Sequence, residues 1–291
     1  MMHHSDERPR ELLVSGHVNV DRFLGVPRFP LADRSVPVLS QRVELGGTAT
    51  NIALTATHYG VATGLVARVG EDFPKAFWDR LRVGRIDLRG VEVVRGASTP
   101  TAFVLEDPKG GQRTLMDQGP MGTPPTRVAP RPWLAEYSWL HLTTGDPDFQ
   151  LRLLRQGRAA GLRAAADPAQ EIHYRWDAGR LRQLLSGVEL LFGNRSEVAR
   201  AAQMLGVRGA DGLLPLVPLV VRTEGGDGTT AFSRLGATHV PAVRPRRVRS
   251  VVGAGDAYRG GFYSAWFEGE DLKTCLGAGA RAAARWLEGT R

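Results

Sequence analysis

Short apolar runs alternate with helix-length segments along most of this chain. ELLVSGHV at 11–18, TGLVARVG at 63–70, YSWLHL at 137–142, GLRAAAD at 161–167, VELLFG at 188–193 and PLVVRT at 218–223 read as strands. Between them, TATNIALTATHYG at 48–60 reads as a helix ended by Gly60, and further helical segments fall at about 72–83, 147–160, 178–186 and 196–205. Strands separated by helices of this length imply βαβ units, and hence a mostly parallel sheet covered by helices on both faces. In such sheets ligands bind at the loops leaving the carboxyl ends of the strands.

Two segments break the rhythm. Residues 22–45 and 91–118 read as extended strands with turns, including a loop at Asp107 to Gly111. They are expected to form antiparallel strands added to the main sheet as a small β lid over its ligand edge, or else ordinary edge hairpins. No repeat, low-complexity tract or long linker divides residues 1–291, which are expected to form one α/β domain.

Charge and composition exclude several classes of function. The net charge of +8 and the run PRRVR at 245–249 point towards nucleic acid, yet the arginines spread along the whole chain, and Lys75, Lys109 and Lys273 are the only lysines. No zinc-ligand spacing or basic-aromatic interleaving accompanies them, so no nucleic-acid partner is expected. The longest apolar runs, such as Leu213 to Val221, contain proline and are too short to span a bilayer, and no apolar segment follows the polar start MMHHSDERPRE. A single cysteine, Cys275, rules out an internal disulfide framework and fits a reducing compartment, so a cytoplasmic location is expected.

The chemistry concentrates in RSVVGAGDAYRGGF at 249–262. Gly253, Ala254 and Gly255 let backbone N–H groups approach an anion closely, and a helix starting there adds its positive end. A carboxylate beside an anion site repels the ligand, so Asp256 makes most sense as a base facing an attacking group. Four other pieces share the expected ligand edge: GHVNVD at 16–21, GGTATN at 46–51, GNRSE at 193–197 and TEGGDG at 223–228. Asp21 can accept from hydroxyl groups, and Asn51 can both donate to and accept from a polyol. Glu197, at a helix start, can order metal-bound water near a phosphate. Singly, each has an ordinary reading as a bend or a helix cap. There is no P-loop, no H-R-D or D-F-G set, no G-x-S-x-G elbow and no H-E-x-x-H helix.

Over nearly its whole length the chain resembles the ribokinase (phosphofructokinase-B type) family of carbohydrate and nucleoside kinases. The matching stretches are GGTATNIALTATHYGVATGLVARVGED, Asn194-Arg195-Ser196-Glu197 and GAGDAYRGGF. HLTTGDPDF at 141–149, ADPAQ at 166–170 and AYRGGF at 257–262 look most like the archaeal nucleoside kinase branch. The resemblance implies a three-layer ribokinase-like sandwich, and an ATP-dependent kinase that transfers the γ-phosphate to a primary hydroxyl, the 5′-OH of a nucleoside first of all. Sugar or sugar-phosphate kinases of the same family are the alternative, with Arg113 near the lid to hold a substrate phosphate; a non-catalytic nucleoside- or nucleotide-binding member is another.

The resemblance also implies roles. Asp256 is the catalytic base, with the N–H groups of Gly253, Ala254 and Gly255 around the transferred phosphoryl. Asn19, Asp21, Gly46, Gly47 and Asn51 hold the acceptor, and Asn194, Glu197, Thr223, Gly225 and Gly228 serve the nucleotide. Mg²⁺ is held through water by Glu197, some members bind a monovalent cation, and lid strands often pair two subunits into a homodimer. Two departures stand out. Ser250, Val251 and Val252 replace acidic and hydroxyl residues usual before GAGD, and the family usually continues beyond AGARAAARWLEGTR with elements of the adenine pocket. Weak ATP binding, or a pocket completed by a partner chain, is the corresponding expectation.

Overall fold

The computed structural model describes residues 10–123, 131–249 and 251–289. The N-terminal residues 1–9 and Ser250, both singled out in the sequence, lie outside them. In chain order come β1 (Arg10–Ser15), β2 (Asn19–Gly25), β3 (Ser40–Gly46), α1 (Thr48–His58), β4 (Thr63–Gly70), α2 (Lys75–Val83), β5 (Asp87–Val94), β6 (Thr101–Glu106), β7 (Gln112–Asp117) and α3 (Arg131–Leu134). The rest are β8 (Tyr137–Leu142), α4 (Pro147–Ala159), β9 (Arg163–Ala166), α5 (Ala178–Leu185), β10 (Leu190–Asn194), α6 (Arg195–Met204), β11 (Leu219–Thr223), β12 (Thr229–Ser233), β13 (Gly236–Val240), α7 (Ala254–Phe267) and α8 (Leu272–Glu288).

The main sheet has the order β13-β12-β11-β10-β9-β8-β1-β4-β5 and is parallel from β11 to β5, with β12 and β13 antiparallel at one edge. Alternate residues of a strand face opposite layers, and the strands are buried on both faces, so successive residues join different cores. Leu13, Leu140 and Leu191 join Leu153, Leu154, Leu181 and Leu184 of α4 and α5 in one core. Leu12, Val14, Leu190 and Phe192 join Ile52, Phe262, Tyr263 and Leu276 of α1, α7 and α8 in the other. Each such side chain stabilises by about 1.5–3 kcal/mol through removal from water, so the sheet is pinned from both sides. Among the described residues no helix is long and apolar enough to cross a membrane.

A second sheet, β3-β2-β6-β7, stands over the carboxyl edge of the first. It differs from the expected lid in two ways. Residues 91–94 belong to β5, a parallel edge strand of the main sheet, so the second lid segment begins only at Thr101. The lid is also mixed, because β2 pairs with β6 in parallel while its outer pairings are antiparallel. An edge strand that is only partly buried carries no pattern to say which sheet it joins, which is why residues 91–94 read as part of the lid. Helix α2 starts at Lys75 rather than near 72 because Pro74, in extended conformation, holds the N-cap position and keeps the residue before it out of helical geometry.

Candidate active site

Between the two sheets lies a cleft of about 980 Å³. The main sheet contributes residues at or just after the carboxyl ends of its strands: His17 after β1, Thr144 after β8, Asp167 after β9, Asn194 on β10 and Thr223 on β11. The lid contributes Ala102, Val104, Gln112, Thr114 and Met116 from β6 and β7. Asn19 and Asp21 also line the cleft, but they sit on β2 of the lid and not at the end of a main-sheet strand. Gly47, Asn51, Glu197, Gly225, Gly253, Gly255 and Asp256 complete the set, so five separate sequence pieces meet in one space.

Two helices open into this cleft without a side-chain cap. Asp146, Asp177, Asn194 and Asp271 cap α4, α5, α6 and α8 by accepting from a first-turn N–H. At α1 and α7 the N-cap is a glycine in left-handed φ, Gly47 at 101° and Gly253 at 82°. With no side chain to take up the first-turn donors, those N–H groups and the positive helix ends are left for a ligand. Their involvement is uneven, since the N–H of Ala254 already reaches the Val251 carbonyl at 3.3 Å. Among the described residues no acceptor takes the N–H of Gly255.

Gly47 is required for close approach as well as for its backbone angle, because a Cβ there would lie 2.2 Å from the His17 carbonyl oxygen. Gly47→Ala is therefore expected to destabilise by about 2–4 kcal/mol, from left-handed strain plus a backbone clash. Gly60 has φ of 90° with nothing within 4 Å of a Cβ, so Gly60→Ala carries the strain alone and is expected to cost about 1 kcal/mol. Urea unfolding of the two variants isolates the clash as the difference.

The Asp256 carboxyl lies on the first turn of α7, where its Oδ2 accepts from Asn51 Nδ2 at 2.9 Å. Loss of solvation pushes this carboxyl up to about 7; the Arg259 guanidinium and the Asn51 amide pull the other way, and the charges of Asp167 and Asp21 push it further up. Burial and the Asp167 charge likewise raise the Glu197 carboxyl, opposed by Arg259. Glu197 and Asn194 form a reciprocal capping box: Asn194 Oδ1 accepts from the Glu197 N–H at 2.9 Å, and Glu197 Oε2 from the Asn194 N–H at 2.7 Å. The cap reading and the functional reading thus share the same atoms, with Gln170 Nε2 donating to Glu197 Oε1 at 3.2 Å from the cleft side.

At the other end, Asn19 Nδ2 donates to Asp21 Oδ1 at 2.5 Å, and both residues are buried. Gly46 makes room for them: a Cβ there would fall 2.0 Å from Asp21 Oδ2. Gly46 lies behind Asp21 and does not line the cleft. Gly228, at φ 102°, also stands outside it and turns the chain from β11 into β12 beside the Val240 carbonyl. Arg113 stacks on Phe29 with its guanidinium 4.5 Å from the ring centre and is not at the cleft wall.

Several cleft residues were not anticipated as site residues. Asp167 and Arg259, almost fully buried, form an ion pair at 2.6 Å on the cleft floor. Glu171, with its carboxyl raised to about 7 mainly by burial, takes the Gly145 N–H at 2.6 Å and stands 4.0 Å from His17 Nδ1. Arg259 follows Asp256 by three positions on α7, where a lone arginine reads as a solvent contact; only the buried neighbours on either side, Tyr258 and Gly260, signal otherwise. Of the two valines before GAGD, Val252 also finds an explanation, while Val251 is exposed and nothing in the structure explains it. Val252 packs against Phe23, Ala102 and Val104 under the lid, and its carbonyl accepts from Trp286 Nε1 at 2.7 Å, so an apolar side chain is required there for docking.

A family model described as pfkB family carbohydrate kinase matches residues 9–288, and the chain belongs to that family. It is 33% identical over 287 residues to a nucleoside kinase of Methanothermobacter thermautotrophicus, covering 97% of this chain and 91% of that protein. It is 29% identical over 289 residues to an ATP-dependent ribose-1-phosphate kinase of Halopiger xanaduensis, covering 96% of this chain and 93% of that one. Its fold superposes on the crystal structure of the Methanocaldococcus jannaschii nucleoside kinase, an archaeal member of the ribokinase family, with a TM-score of 0.86 at 27% identity, covering 96% and 92% of the two chains. The ribokinase-like sandwich expected from the motifs is the fold of this protein, and its relatives include the archaeal nucleoside kinases.

Proposed function

We propose that this protein is an ATP-dependent kinase that phosphorylates the 5′-hydroxyl of a nucleoside. The observation that carries the reading is the Asn51–Asp256 hydrogen bond at the uncapped start of α7, in the middle of a cleft with polyol-binding groups at one end and Asn194, Glu197 and Thr223 at the other. A carboxyl poised near 7 at that point is a suitable general base. In this reading Asn19, Asp21, Gly47 and Asn51 orient the ribose so that its primary hydroxyl faces Asp256. Asp256 takes the hydroxyl proton as the oxygen attacks the γ-phosphate, and the free N–H of Gly255, with the positive end of α7, stabilises the charge on the transferred group. Thr223 and Gly225 line the nucleotide end.

The donor set also fits a hydrated Mg²⁺ carried on the nucleotide phosphates. Among the described residues no cluster of three or more acidic, cysteine or histidine side chains could cage a metal, whereas Glu197 and Asn194 face the cleft and would hold its water ligands. Bound there, the ion neutralises phosphate charge.

A nucleoside fits better than a sugar phosphate. Among the described residues lining the cleft, Arg259 is the lone arginine or lysine, and it is taken up by Asp167, leaving no cation to receive a substrate phosphate. A cytoplasmic enzyme, with Cys275 buried and unpaired, completes the proposal. So does a homodimer through the lid, whose edge strands β3 and β7 expose Val43 and Leu115.

Coupled ADP release across nucleosides, ribose and ribose 1-phosphate, with Mg-ATP as donor, is expected to give the highest kcat/KM with a ribonucleoside. Absence of turnover with every acceptor, alongside tight nucleoside binding by calorimetry, would instead indicate a binding protein. Preference for ribose 1-phosphate would move the assignment to a sugar-phosphate kinase.

A further inference from the structure

Helix α7 begins with few fasteners. It follows a loop that runs from the end of β13 at Val240, it has no side-chain cap, and its first turn carries both Asp256 and the free N–H of Gly255. A base and an anion site are useful only if held to within a fraction of an ångström, so something must fix that turn. The Arg259 guanidinium reaches it from one turn further on, with Nη1 donating to the Gly255 carbonyl at 2.7 Å. Its Nε meets Asp167 Oδ2 at 2.6 Å, and the guanidinium lies 5.7 Å from the Phe192 ring centre. Asp167 is itself anchored to the sheet, its N–H donating to the Leu142 carbonyl at 2.8 Å. Arg259 is 5% exposed and Asp167 1%, so neither contact is diluted by solvent.

We propose that Arg259 is a positioning residue of the transfer centre: by bridging Asp167 at the end of β9 to the Gly255 carbonyl, it locks the first turn of α7 to the rigid edge of the main sheet. The proposal builds on the kinase reading above. Two features separate this role from others open to a buried arginine. The guanidinium is held between the Asp167 carboxylate, as an ion pair, and the Gly255 carbonyl, as a hydrogen bond, which favours an anchoring role over that of a phosphate ligand. It also donates to the Gly255 carbonyl within the first turn of its own helix, and so polarises the Gly255–Asp256 peptide and its Asp256 N–H at that helix end. A Cβ on Gly255 would lie 2.8 Å from Nη1, so the glycine is what lets the arginine lie back along its own helix.

The planar fork is required, because a lysine ammonium keeps the charge but cannot hold both partners in fixed directions. Three variants test the role: Arg259→Lys, Arg259→Met and the pair Asp167→Asn with Arg259→Met. For Arg259→Lys, kcat is expected to fall about tenfold or more with both KM values within about threefold of wild type. Arg259→Met leaves Asp167 buried and unpaired and should lower Tm, and the double variant should regain most of that Tm without regaining kcat.

Hydrogen–deuterium exchange reads the same role without turnover. Amides in 254–262 of Arg259→Lys are expected to exchange at least tenfold faster, and those of α8 unchanged. Wild-type kcat in Arg259→Lys, or kcat recovering together with Tm in the double variant, overturns the proposal, as does a raised KM for ATP at unchanged kcat, which would make Arg259 a phosphate ligand. Unchanged exchange in 254–262 overturns it even if the wild type proves to have no kinase turnover, so that failure of the kinase reading and failure of this one are told apart.

Discussion

Asp256→Asn is expected to bind nucleoside and ATP within about threefold of the wild type while kcat falls about 10²–10⁴-fold, the range supplied by a positioned general base. The substitution keeps the shape of the side chain, and the remaining amide oxygen can still accept from Asn51 Nδ2, so the ground-state cleft is preserved. What it removes, in the proposed mechanism, is the acceptor for the hydroxyl proton. Single-turnover measurements separate this from an effect on product release; a variant within tenfold of wild-type kcat would take the base assignment away from Asp256.

The same carboxyl sets two pH dependences of known sign. With its proton leaving at about 7, the proposed base would be in its active form above that pH. The wild-type kcat/KM should therefore climb through pH 6–8 and level off, and the limb should vanish in Asp256→Asn. For stability, the folded carboxyl binds its proton more tightly than the ordinary carboxylate at 3.8, so its contribution is fully present below about pH 4 and is lost as pH rises through about 7. Asp256→Asn never ionises. It should unfold a few degrees above the wild type at pH 8, with the difference closing by pH 4, which is the exchange of stability for function expected at a base held out of water.

Which parts of this site were legible in the sequence follows from range. Asn194 and Glu197 lie three residues apart on one helix start, so spacing alone brings them together, and the capping box forms as that spacing predicts. GAGD announces an uncapped helix because its glycines are local in effect. Arg259 and Asp167 give no such signal: they are 92 residues apart, and their pairing depends on β9 and α7 meeting across the sheet edge, a tertiary fact. The lid boundary failed for a related reason. Residues 91–94 are only partly buried, and whether they join β4 or the lid is decided by a partner strand and not by their own pattern. Val252 shows the limit of motif comparison, since a valine there breaks the family pattern yet is the residue that packs under Phe23, Ala102 and Val104.

Asp21→Ala is the other large effect expected. Asp21 is a buried carboxylate on β2, held by Asn19 and facing the cleft; if it accepts from two ribose hydroxyls as proposed, charge-assisted hydrogen bonds at about 1.5–3 kcal/mol each correspond to a loss of about 10²–10⁴ in kcat/KM for a ribonucleoside. The loss should be selective. Wild-type enzyme should discriminate against 2′-deoxy and 3′-deoxynucleosides, and the variant should treat ribo- and deoxynucleosides alike, because the group that reads the hydroxyls is gone. Removing Asp21 also deprives Asn19 Nδ2 of its acceptor, and Asp21→Asn, which retains an acceptor, controls for that structural cost. An Asp21→Ala enzyme that loses activity equally on ribo- and deoxynucleosides would mean that Asp21 secures the lid strand against α1 rather than the substrate.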